Sequence, residues 1–460
     1  MALVPTALLW FRRDLRLSDH PALLAAVEAA GDGGAVLPVF VVDPRLWEPS
    51  GRPRRQFLRE CLADLREQTG GALVIRSGDP ARVLPDLVRE TGAGSVHVSA
   101  DAGVYGRERD AAVERALGGV PLVRTGSPYG VTPGRLLKDD GTPFRVYSPF
   151  ARAWRARGVH APAERPGDVR WAEGLPAGDL PPAQDLGGTV LPPAGERAGL
   201  DAWAQFRDQR LLGYATSRNT PGTDGTSRLS AHLKYGTVHP RTLYAEAEQL
   251  AGDHADAVDK FVGELVWRDF YADVLWHRPE TAREPFTPQM RAMRYDTGPE
   301  ADEHFAAWAE GRTGYPIVDA GMRQLHGEAY VHNRVRMIVA SFLVKDLHID
   351  WRRGARYFFD HLVDGDLASN QHGWQWVAGT GTDPSPYYRV FNPTRQGQQF
   401  DPDGAYVRRW VPELRDVPDR SVHEPWTLPG GPPEGYPAPV VDHAEERQVA
   451  LARYQEVRGA

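Results

Sequence analysis

The sequence has little cysteine and no long apolar run. Cys61 is the single cysteine among 460 residues, which excludes an intramolecular disulfide and a cysteine-rich zinc site, and we predict no metal site. No apolar run approaches the ~20 residues that a transmembrane helix needs, so no membrane partner is expected. The apolar stretch 7–11 is followed at once by Arg12, Arg13 and Asp14, which is not typical of a signal peptide. We therefore expect a cytoplasmic protein. Internal repeats are absent too.

The charge balance is mildly acidic. The formal net charge is -7 at pH 7, and 25% of the residues are charged. This balance does not by itself indicate a nucleic-acid-binding protein, although a local basic patch can lie on an acidic protein. The hydrophobic content of 41% is ordinary for a globular chain, and the length suits two or three domains.

Short apolar runs alternate with amphipathic stretches in the first quarter of the chain. The runs are 7–10, 39–42, 73–75, 96–98 and 121–123. Unbroken apolar strands separated by helices predict a doubly wound parallel sheet, an α/β fold. No G-x-G-x-x-G motif follows the first strand, so the dinucleotide-binding fingerprint is missing.

Helical periodicity dominates from about residue 200, most clearly in 259–276 and 325–347. A segment rich in proline and glycine, from about 157 to 199, indicates a connector laid over the surface. The predicted regions are an α/β domain at 1–125, a connector at 126–199 and an all-α domain at 200–460.

The segment 364–376 concentrates two carboxylates, an amide and two tryptophans. If a helix begins near Asp366, then Asp366, Asn370 and Trp374 recur at i, i+4 and i+8 and share one face. Trp376 lies ~200° around the helix axis from Trp374 and points to another site. A core helix with satisfied polar groups is the alternative, but polar residues beside an aromatic on one face favour a binding site.

Glu264, Trp267 and Arg268 also share one helix face, at i, i+3 and i+4. A carboxyl group beside an aromatic ring suits recognition of a planar polar ring, which stacks on the tryptophan while the carboxyl makes a hydrogen bond. The alternative is a Glu–Arg pair on a solvated face.

Asn333, Arg336 and Met337 have the same spacing, and the apolar run 338–344 follows them. We therefore expect Arg336 to enter the interior. Removing the partner of a buried ion pair costs about 3–5 kcal/mol, so Arg336 needs a carboxylate, and Asp364 or Asp366 is the candidate.

A hydroxyl-rich loop, 226–230, precedes another apolar helical pattern. Hydroxyl groups and free backbone N–H groups at a helix start suit a phosphate group. A plain serine N-cap explains the same pattern equally well.

Together these segments resemble the photolyase/cryptochrome flavoproteins, most of all the bacterial photolyases that repair cyclobutane pyrimidine dimers. The resemblance covers almost the whole chain, and its motifs occur in the family's order. They are Leu-Trp-Phe-Arg-Arg-Asp-Leu-Arg-Leu at 9–17, Asp-Gly-Thr-Ser-Arg-Leu-Ser at 224–230, Gly-Tyr-Pro-Ile-Val-Asp at 314–319, Trp-Gln-Trp at 374–376 and Phe-Asn-Pro at 391–393.

The resemblance implies an N-terminal antenna domain and a C-terminal helical domain that holds FAD. It implies light-driven repair of DNA, in which photoexcited reduced FAD donates an electron to a dimer flipped out of the duplex. The residues expected at the lesion are Glu264, Trp267, Asn333, Met337 and Trp376. The residues expected at the FAD are Tyr214, Thr226, Ser227, Arg228, Leu229, Ser230, Arg268, Arg336, Asp364, Asp366 and Asn370.

The resemblance also implies an electron path and a DNA surface. Trp374 and Trp351 match the two inner residues of the family's path, and Tyr295 occupies the outer position, unless it is a packing residue. The arginines expected to contact DNA phosphates are Arg334, Arg389, Arg395 and Arg408, for which ordinary surface charge is the alternative.

For the antenna, 101–110 resembles the corresponding segment of deazaflavin-binding photolyases. Arg54 and Asp101 are expected to contact an 8-hydroxydeazaflavin, with methenyltetrahydrofolate as the alternative. The implied partner is DNA containing pyrimidine dimers, bound by a monomer.

Two related functions stay open as alternatives: a cryptochrome-like photoreceptor and a photolyase for (6-4) photoproducts. Plant-type sensors tend to carry aspartate where this chain has Asn370. A (6-4) enzyme is expected to carry paired histidines, whereas this chain has His332, Asn333 and, further on, Met337.

Overall fold

The computed structural model describes residues 5–382 and 388–459, without the side chain of Asp253. The chain forms two compact units. The first comprises 1–185, 192–212 and 227–279, and the second comprises 186–191, 213–226 and 280–460. Within the described ranges, no helix combines the length and the apolar character needed to cross a bilayer.

The first unit contains a five-stranded parallel sheet. The strands are β1 (Thr6–Phe11), β2 (Ala35–Val42), β3 (Val74–Ser77), β4 (Ser95–Val98) and β5 (Leu122–Arg124). Their order is β3-β2-β1-β4-β5, and β1 pairs Thr6 with Ala35 of β2 and Ala7 with Ser95 of β4. The predicted doubly wound sheet is confirmed. Helices cover both faces of such a sheet, which explains why β1 and β2 are almost entirely apolar, whereas the shorter β3, β4 and β5 each include a polar or charged residue.

The helices follow in chain order. They are α1 (Pro21–Ala30), α2 (Pro44–Trp47), α3 (Arg52–Gln68), α4 (Pro80–Thr91), α5 (Val104–Ala116), α6 (Tyr147–Arg157), α7 (Glu196–Gln209), α8 (Tyr214–Ser217), α9 (Ser230–Tyr235), α10 (Pro240–Glu248), α11 (Ala255–His277), α12 (Pro299–Ala309), α13 (Pro316–Glu328), α14 (Asn333–Lys345), α15 (Trp351–His361), α16 (Leu367–Ala378), α17 (Pro393–Phe400), α18 (Ala405–Trp410) and α19 (His443–Gly459). Short 3₁₀ turns are Leu211–Gly213, Gly252–His254, Pro279–Ala282, Pro288–Ala292, Pro412–Leu414, Asp419–His423 and Pro425–Thr427.

The connector predicted at 126–199 is not confirmed as a bare linker. It contains α6, and its later part runs beside the sheet. The Val36 N–H donates to the Arg170 carbonyl at 2.9 Å, and the Ala172 N–H donates to the Val36 carbonyl at 2.9 Å. Proline and glycine limit regular structure here, but the backbone still finds partners in the first unit.

The second unit is helical, with α14 at its centre. The run 338–344, predicted to be apolar core, is buried throughout. Gly354 of α15 allows α16 to approach closely, because a Cβ at this position would lie 2.2 Å from the Trp374 ring. The all-helical character predicted for the C-terminal part is therefore confirmed.

Candidate active site

In the first unit, α11 presents Trp267 and Glu264, both half-buried. The Trp267 ring stacks on Tyr147, at the start of α6, with 3.7 Å between ring centroids and 1° between planes. The Tyr147 hydroxyl donates to the Gly263 carbonyl at 3.1 Å, which fixes the tyrosine. Tyr147 thus covers one of the two faces of the indole and holds the ring in one orientation.

Arg268, next on α11, is bound by backbone within the first unit. Its guanidinium donates to the carbonyls of Pro128 at 2.8 Å and Leu233 at 3.0 Å, and it lies 4.5 Å from the centroid of the Tyr129 ring. These contacts use two of its donor groups. Arg268 therefore joins α11 to the loop after β5 and to α9.

The neighbouring Asp269 is fully buried and anchors α11. Its Oδ2 accepts from the Val131 N–H at 2.8 Å and from Trp154 Nε1 at 2.9 Å. Burial raises the pKa of Asp269 to about 6, against the opposing effects of Arg268 and of these hydrogen bonds. Because residues two apart lie ~200° around a helix, Asp269 anchors α11 from the side away from Trp267.

In the second unit, the predicted ion pair between Arg336 and Asp364 is present, with 2.8 Å between Nη2 and Oδ2. The Arg336 Nε also donates to the Val331 carbonyl at 2.7 Å. Burial opposes the charge on Arg336, but Asp364 more than compensates, so the arginine pKa is raised. The expectation that Arg336 enters the interior is only partly right, because 27% of its side chain is exposed.

Asp364 keeps one oxygen unused among the described residues. Its side chain is 4% exposed, and Oδ1 is buried without a hydrogen-bond partner in that part of the chain. A buried acceptor of this kind is costly unless a ligand supplies a donor.

The helix predicted near Asp366 is α16, and Asp366 is its N-cap, accepting from the Ser369 N–H at 3.1 Å. The Asn370 Nδ2 donates to the Ala355 carbonyl and to Gln371 Oε1, both at 2.9 Å. With both N–H bonds directed into the protein, the amide oxygen of Asn370 is the group that remains to accept a hydrogen bond.

The two tryptophans of α16 differ in burial, as their different directions predict. Trp374 is buried and packs edge-on against Phe358, with 5.2 Å between ring centroids. Trp376 is half-buried and lines a cavity of about 220 Å³ within the second unit. Trp351, the first residue of α15, is completely buried, while Tyr295 is half-buried and packs against the same core. Burial raises the pKa of the Tyr295 phenol.

At the start of α14, Asn333 is exposed and Met337 is half-buried. The helix places both residues on the same face as Arg336, as predicted. Arg334 is half-buried; it donates to Asn219 Oδ1 at 2.9 Å and lies 4.3 Å from the centroid of the Phe400 ring.

The other predicted arginines differ in their partners. Arg389 and Arg395 are exposed. Arg408 instead donates to the backbone carbonyls of Asp403, Val417 and Asp419. Its guanidinium therefore stabilises the neighbouring backbone.

The 226–230 loop leads into α9, which begins at Ser230. Tyr214, the first residue of α8, is buried. Leu229, not a serine, is the N-cap of α9, and no side chain caps this end. The plain serine N-cap is therefore wrong as an explanation of the loop. Arg228 has a φ of 52°, a left-handed conformation that a non-glycine residue rarely adopts.

Asp101 lies beside a second cavity, of about 490 Å³, in the first unit. Its carboxylate accepts from the Gly103 N–H at 2.9 Å and pairs with Arg109 at 3.1 Å. Trp276 and Arg107 line the same cavity, with the guanidinium 4.2 Å from the centroid of the indole ring. Arg54, on α3, is buried and its Nε donates to the Ser50 hydroxyl at 3.2 Å.

Sequence reasoning missed Tyr147, because it lies in the segment interpreted as connector. Lys345 was missed because it ends the apolar run of α14; its ammonium group lies 4.3 Å from the centroid of the Tyr388 ring. The Tyr-Ser-Pro-Phe stretch at 147–150, an aromatic helix start with proline, was the available signal for the first.

Comparisons with known proteins show the family to which the chain is related. Residues 7–167 match the family model described as DNA photolyase, and residues 261–456 match the FAD binding domain of DNA photolyase. A curated deoxyribodipyrimidine photo-lyase from Halobacterium salinarum is 41% identical, over 98% of this chain and 99% of the relative.

Solved structures also match over nearly the full length. The crystal structure of a bacterial class III photolyase from Agrobacterium tumefaciens is 39% identical, with a TM-score of 0.92 over 99% of this chain and 98% of that one. A cryptochrome from Synechocystis is 28% identical, with a TM-score of 0.87 over 98% and 100% of the two chains. The chain therefore belongs to the photolyase/cryptochrome family.

Proposed function

We propose that this protein is a carbon–carbon lyase that uses blue light to split cyclobutane pyrimidine dimers in DNA. The observation that carries the proposal is Trp267, a half-buried ring held from one side by Tyr147, with Glu264 one turn earlier on α11. The relatives named deoxyribodipyrimidine photo-lyase support the same substrate. From the family resemblance we propose that the enzyme is a monomer, and we propose that it acts in the cytoplasm, where it reaches DNA.

The chain's residues act on a dimer that has left the base stack. Trp267 and Trp376 stack on the fused pyrimidine rings. Each stacking contact contributes roughly 1–3 kcal/mol to the binding free energy, by analogy with bases on aromatic side chains. Glu264 makes a hydrogen bond to a pyrimidine carbonyl edge and stabilises the charge that develops there. Asn333 and Met337 complete the contacts with the lesion.

The hydrogen-bond acceptors beside Arg336 and on α16 fit FAD. The flavin edge carries an N–H donor, which suits the buried Asp364 Oδ1, and the oxygen of Asn370 suits a second donor. Bound there in its reduced form, FAD would supply, on absorbing light, the electron that opens the cyclobutane ring, and the electron would return to it afterwards. Arg336 holds Asp364 in place, and Asn370 accepts a hydrogen bond without readily releasing a proton.

The remaining cofactor residues follow from the family resemblance. Asp366 contacts the ribityl or adenine side, and Arg268 the flavin side. Tyr214 and the hydroxyl-rich loop bind the ribityl-diphosphate region; the loop residues are Thr226, Ser227, Arg228, Leu229 and Ser230.

Electrons that reduce the flavin come from the surface through Tyr295, Trp351 and Trp374 in that order. The two tryptophans are buried, which keeps water away from them. Tyr295 must lose its proton when it is oxidised, and burial raises the pKa of its phenol in the resting state.

Phosphate contacts hold the damaged strand. The exposed side chains of Arg389 and Arg395 and the half-buried Arg334 supply the positive charge.

We propose that an antenna chromophore occupies the first unit. The cavity beside Asp101 offers Trp276 for stacking and Arg107 for an anionic group. Arg54 is not among the described residues that line this cavity, so its part in antenna binding rests on the resemblance alone. The ligand remains 8-hydroxydeazaflavin by resemblance, with methenyltetrahydrofolate as the alternative; the absorbance spectrum of the released chromophore distinguishes them.

The test is repair of an oligonucleotide that carries one thymine dimer, by chemically reduced protein under blue light, with a dark control. We expect light-dependent loss of the dimer, strongly reduced in Trp267→Ala. No repair by a fully FAD-loaded, reduced sample overturns the proposal, and repair of a (6-4) photoproduct instead identifies the other lesion. A photoreceptor, which the Synechocystis likeness keeps as the second candidate, repairs neither.

A further inference from the structure

Aromatic rings and cationic side chains are prominent among the residues that line the cavity beside Trp376. Among them are Trp376, Tyr388, Tyr454, Lys345, Arg389 and Arg458. Its volume of about 220 Å³ exceeds the ~150 Å³ of an engineered cavity that admits benzene. One planar ring of the size of a nucleobase therefore fits.

The aromatic wall is rigid. Tyr388 and Tyr454 of α19 stack with 4.2 Å between ring centroids and 12° between planes. Lys345, at 3% exposure, lies 4.3 Å from the centroid of the Tyr388 ring and donates to the Arg389 carbonyl. The lysine thus fixes both the tyrosine and the backbone that carries Arg389.

The charge at this cavity has one sign. No aspartate or glutamate is among the described lining residues, and neither Arg389 nor Arg458 has a carboxylate partner within the described ranges. Arg453, on the same helix as Arg458 but outside the cavity, pairs with Asp296 at 2.8 Å. In a chain of net charge -7, this local excess of positive charge selects an anion.

We propose that the cavity binds the single nucleotide that flanks the dimer, with its base against Tyr454, which Tyr388 supports from behind, and its phosphate at Arg389 and Arg458. The proposal rests on the proposed function, because Trp376, the partner of the dimer, belongs to the same wall. Aromatic side chains combined with a positively charged groove are what single-stranded DNA requires of a binding site. The C-terminal helix α19 thereby becomes part of the DNA-binding surface.

The test measures binding in the dark by fluorescence anisotropy, with FAD-loaded protein. Three labelled oligonucleotides carry one thymine dimer each: a short one ending at the dimer, one extended on the 5′ side and one on the 3′ side. The quantity of interest is the factor by which an extension tightens binding. The variants are Arg458→Ala, Tyr454→Ala and Tyr454→Phe, and the matched control is Arg447→Ala, an exposed arginine of α19 outside the cavity.

We expect one of the two extensions to tighten binding by the wild-type protein. Tyr454→Ala reduces that factor by roughly 5- to 150-fold, the equivalent of one stacked base, and Tyr454→Phe retains it. Arg458→Ala also reduces the factor, and lowers the slope of log affinity against log salt by ~1, as loss of one phosphate contact requires. Arg447→Ala retains both the factor by which the extension tightens binding and the salt dependence of the wild-type protein.

The proposal is overturned if neither extension tightens binding, or if Arg458→Ala and Tyr454→Ala retain the full factor. Binding of free thymidine monophosphate that depends on Arg458, without any effect of the extensions, also overturns it and points to a free nucleotide. Arg458 is exposed, so its variant tests the proposal even if Tyr454→Ala fails to fold. Failure of the proposed function looks different: wild type then shows no preference for a dimer over undamaged DNA of equal length.

Discussion

The parallel stack of Tyr147 on Trp267 predicts whether the substitution Tyr147→Ala weakens or tightens binding of the dimer, and the direction of the change tests the role of the tyrosine. A tyrosine that supports the indole from behind leaves the other face for the dimer. In Tyr147→Ala the indole loses that support and must be ordered on binding, at ~0.5–1.5 kcal/mol, so dimer binding weakens by roughly 2- to 13-fold. A tyrosine that instead covers the face used by the dimer would compete with it, and its removal would tighten binding.

The effect of Tyr147→Ala on dimer binding cannot exceed the effect of removing Trp267. Trp267→Ala removes one stacked ring, at ~1–3 kcal/mol, and weakens dimer binding by roughly 5- to 150-fold. Because Tyr147 acts through the indole, we expect the double variant to bind like Trp267→Ala alone. In unfolding experiments, the two single variants and the double variant form a double-mutant cycle. We expect it to give a coupling free energy of ~0.5–1.5 kcal/mol between Tyr147 and Trp267, typical of an aromatic pair.

The assay is dark binding of a labelled oligonucleotide with and without one dimer, followed by anisotropy. Tyr147→Phe is the matched control, since it keeps the ring and loses only the hydrogen bond to the Gly263 carbonyl. Urea unfolding of each variant separates a binding effect from a folding defect. Tighter dimer binding by Tyr147→Ala would refute the supporting role of this residue.

Three further predictions concern the cofactor, the electron path and pH. Asp364→Asn removes the charge that faces Arg336; because this arginine is 27% exposed, we expect a loss of ~1–3 kcal/mol in unfolding free energy, below that of a fully buried pair, and release of FAD at lower urea, followed by flavin fluorescence. Tyr295→Phe slows bleaching of the oxidised flavin under blue light with an external reductant, and Tyr295→Trp restores it; equal rates in all three proteins would make Tyr295 a packing residue. The raised pKa of Asp269, about 6, means that its contribution to stability is full below pH ~4 and is lost as pH rises through 6. Asp269→Asn should therefore gain stability relative to wild type between these values in urea unfolding, by ~2–3 kcal/mol, and a constant difference would contradict this.

The elements that sequence reasoning placed correctly are those with a strong local period. The strands β1 and β2 were the clearest, because burial on both faces makes them almost entirely apolar, and α16 was found because polar and aromatic residues recur along one face. The Arg336–Asp364 pair was predictable because a cation next to buried apolar residues needs a carboxylate, and few were in reach.

What depends on distant contacts was not predictable. Tyr147 lies far from Trp267 in sequence, and no local pattern marks the stack. The division at 125 and 199 stays a prediction; in the structure, the helices α9, α10 and α11 pack in the unit that contains the sheet. Helical periodicity identifies a helix, but it does not show which unit will bury its apolar face.

Burial divides the four site tryptophans into two pairs that match their proposed tasks. Trp351 and Trp374 are buried, so no solvent must reorganise around them when an electron passes. Trp267 and Trp376 are half-buried, so each has surface left to contact a ligand. A ring left partly in water loses rotamer freedom only when something holds it, and Tyr147 does so for Trp267. The residues behind such rings are therefore as much a part of the proposed lesion site as the rings themselves.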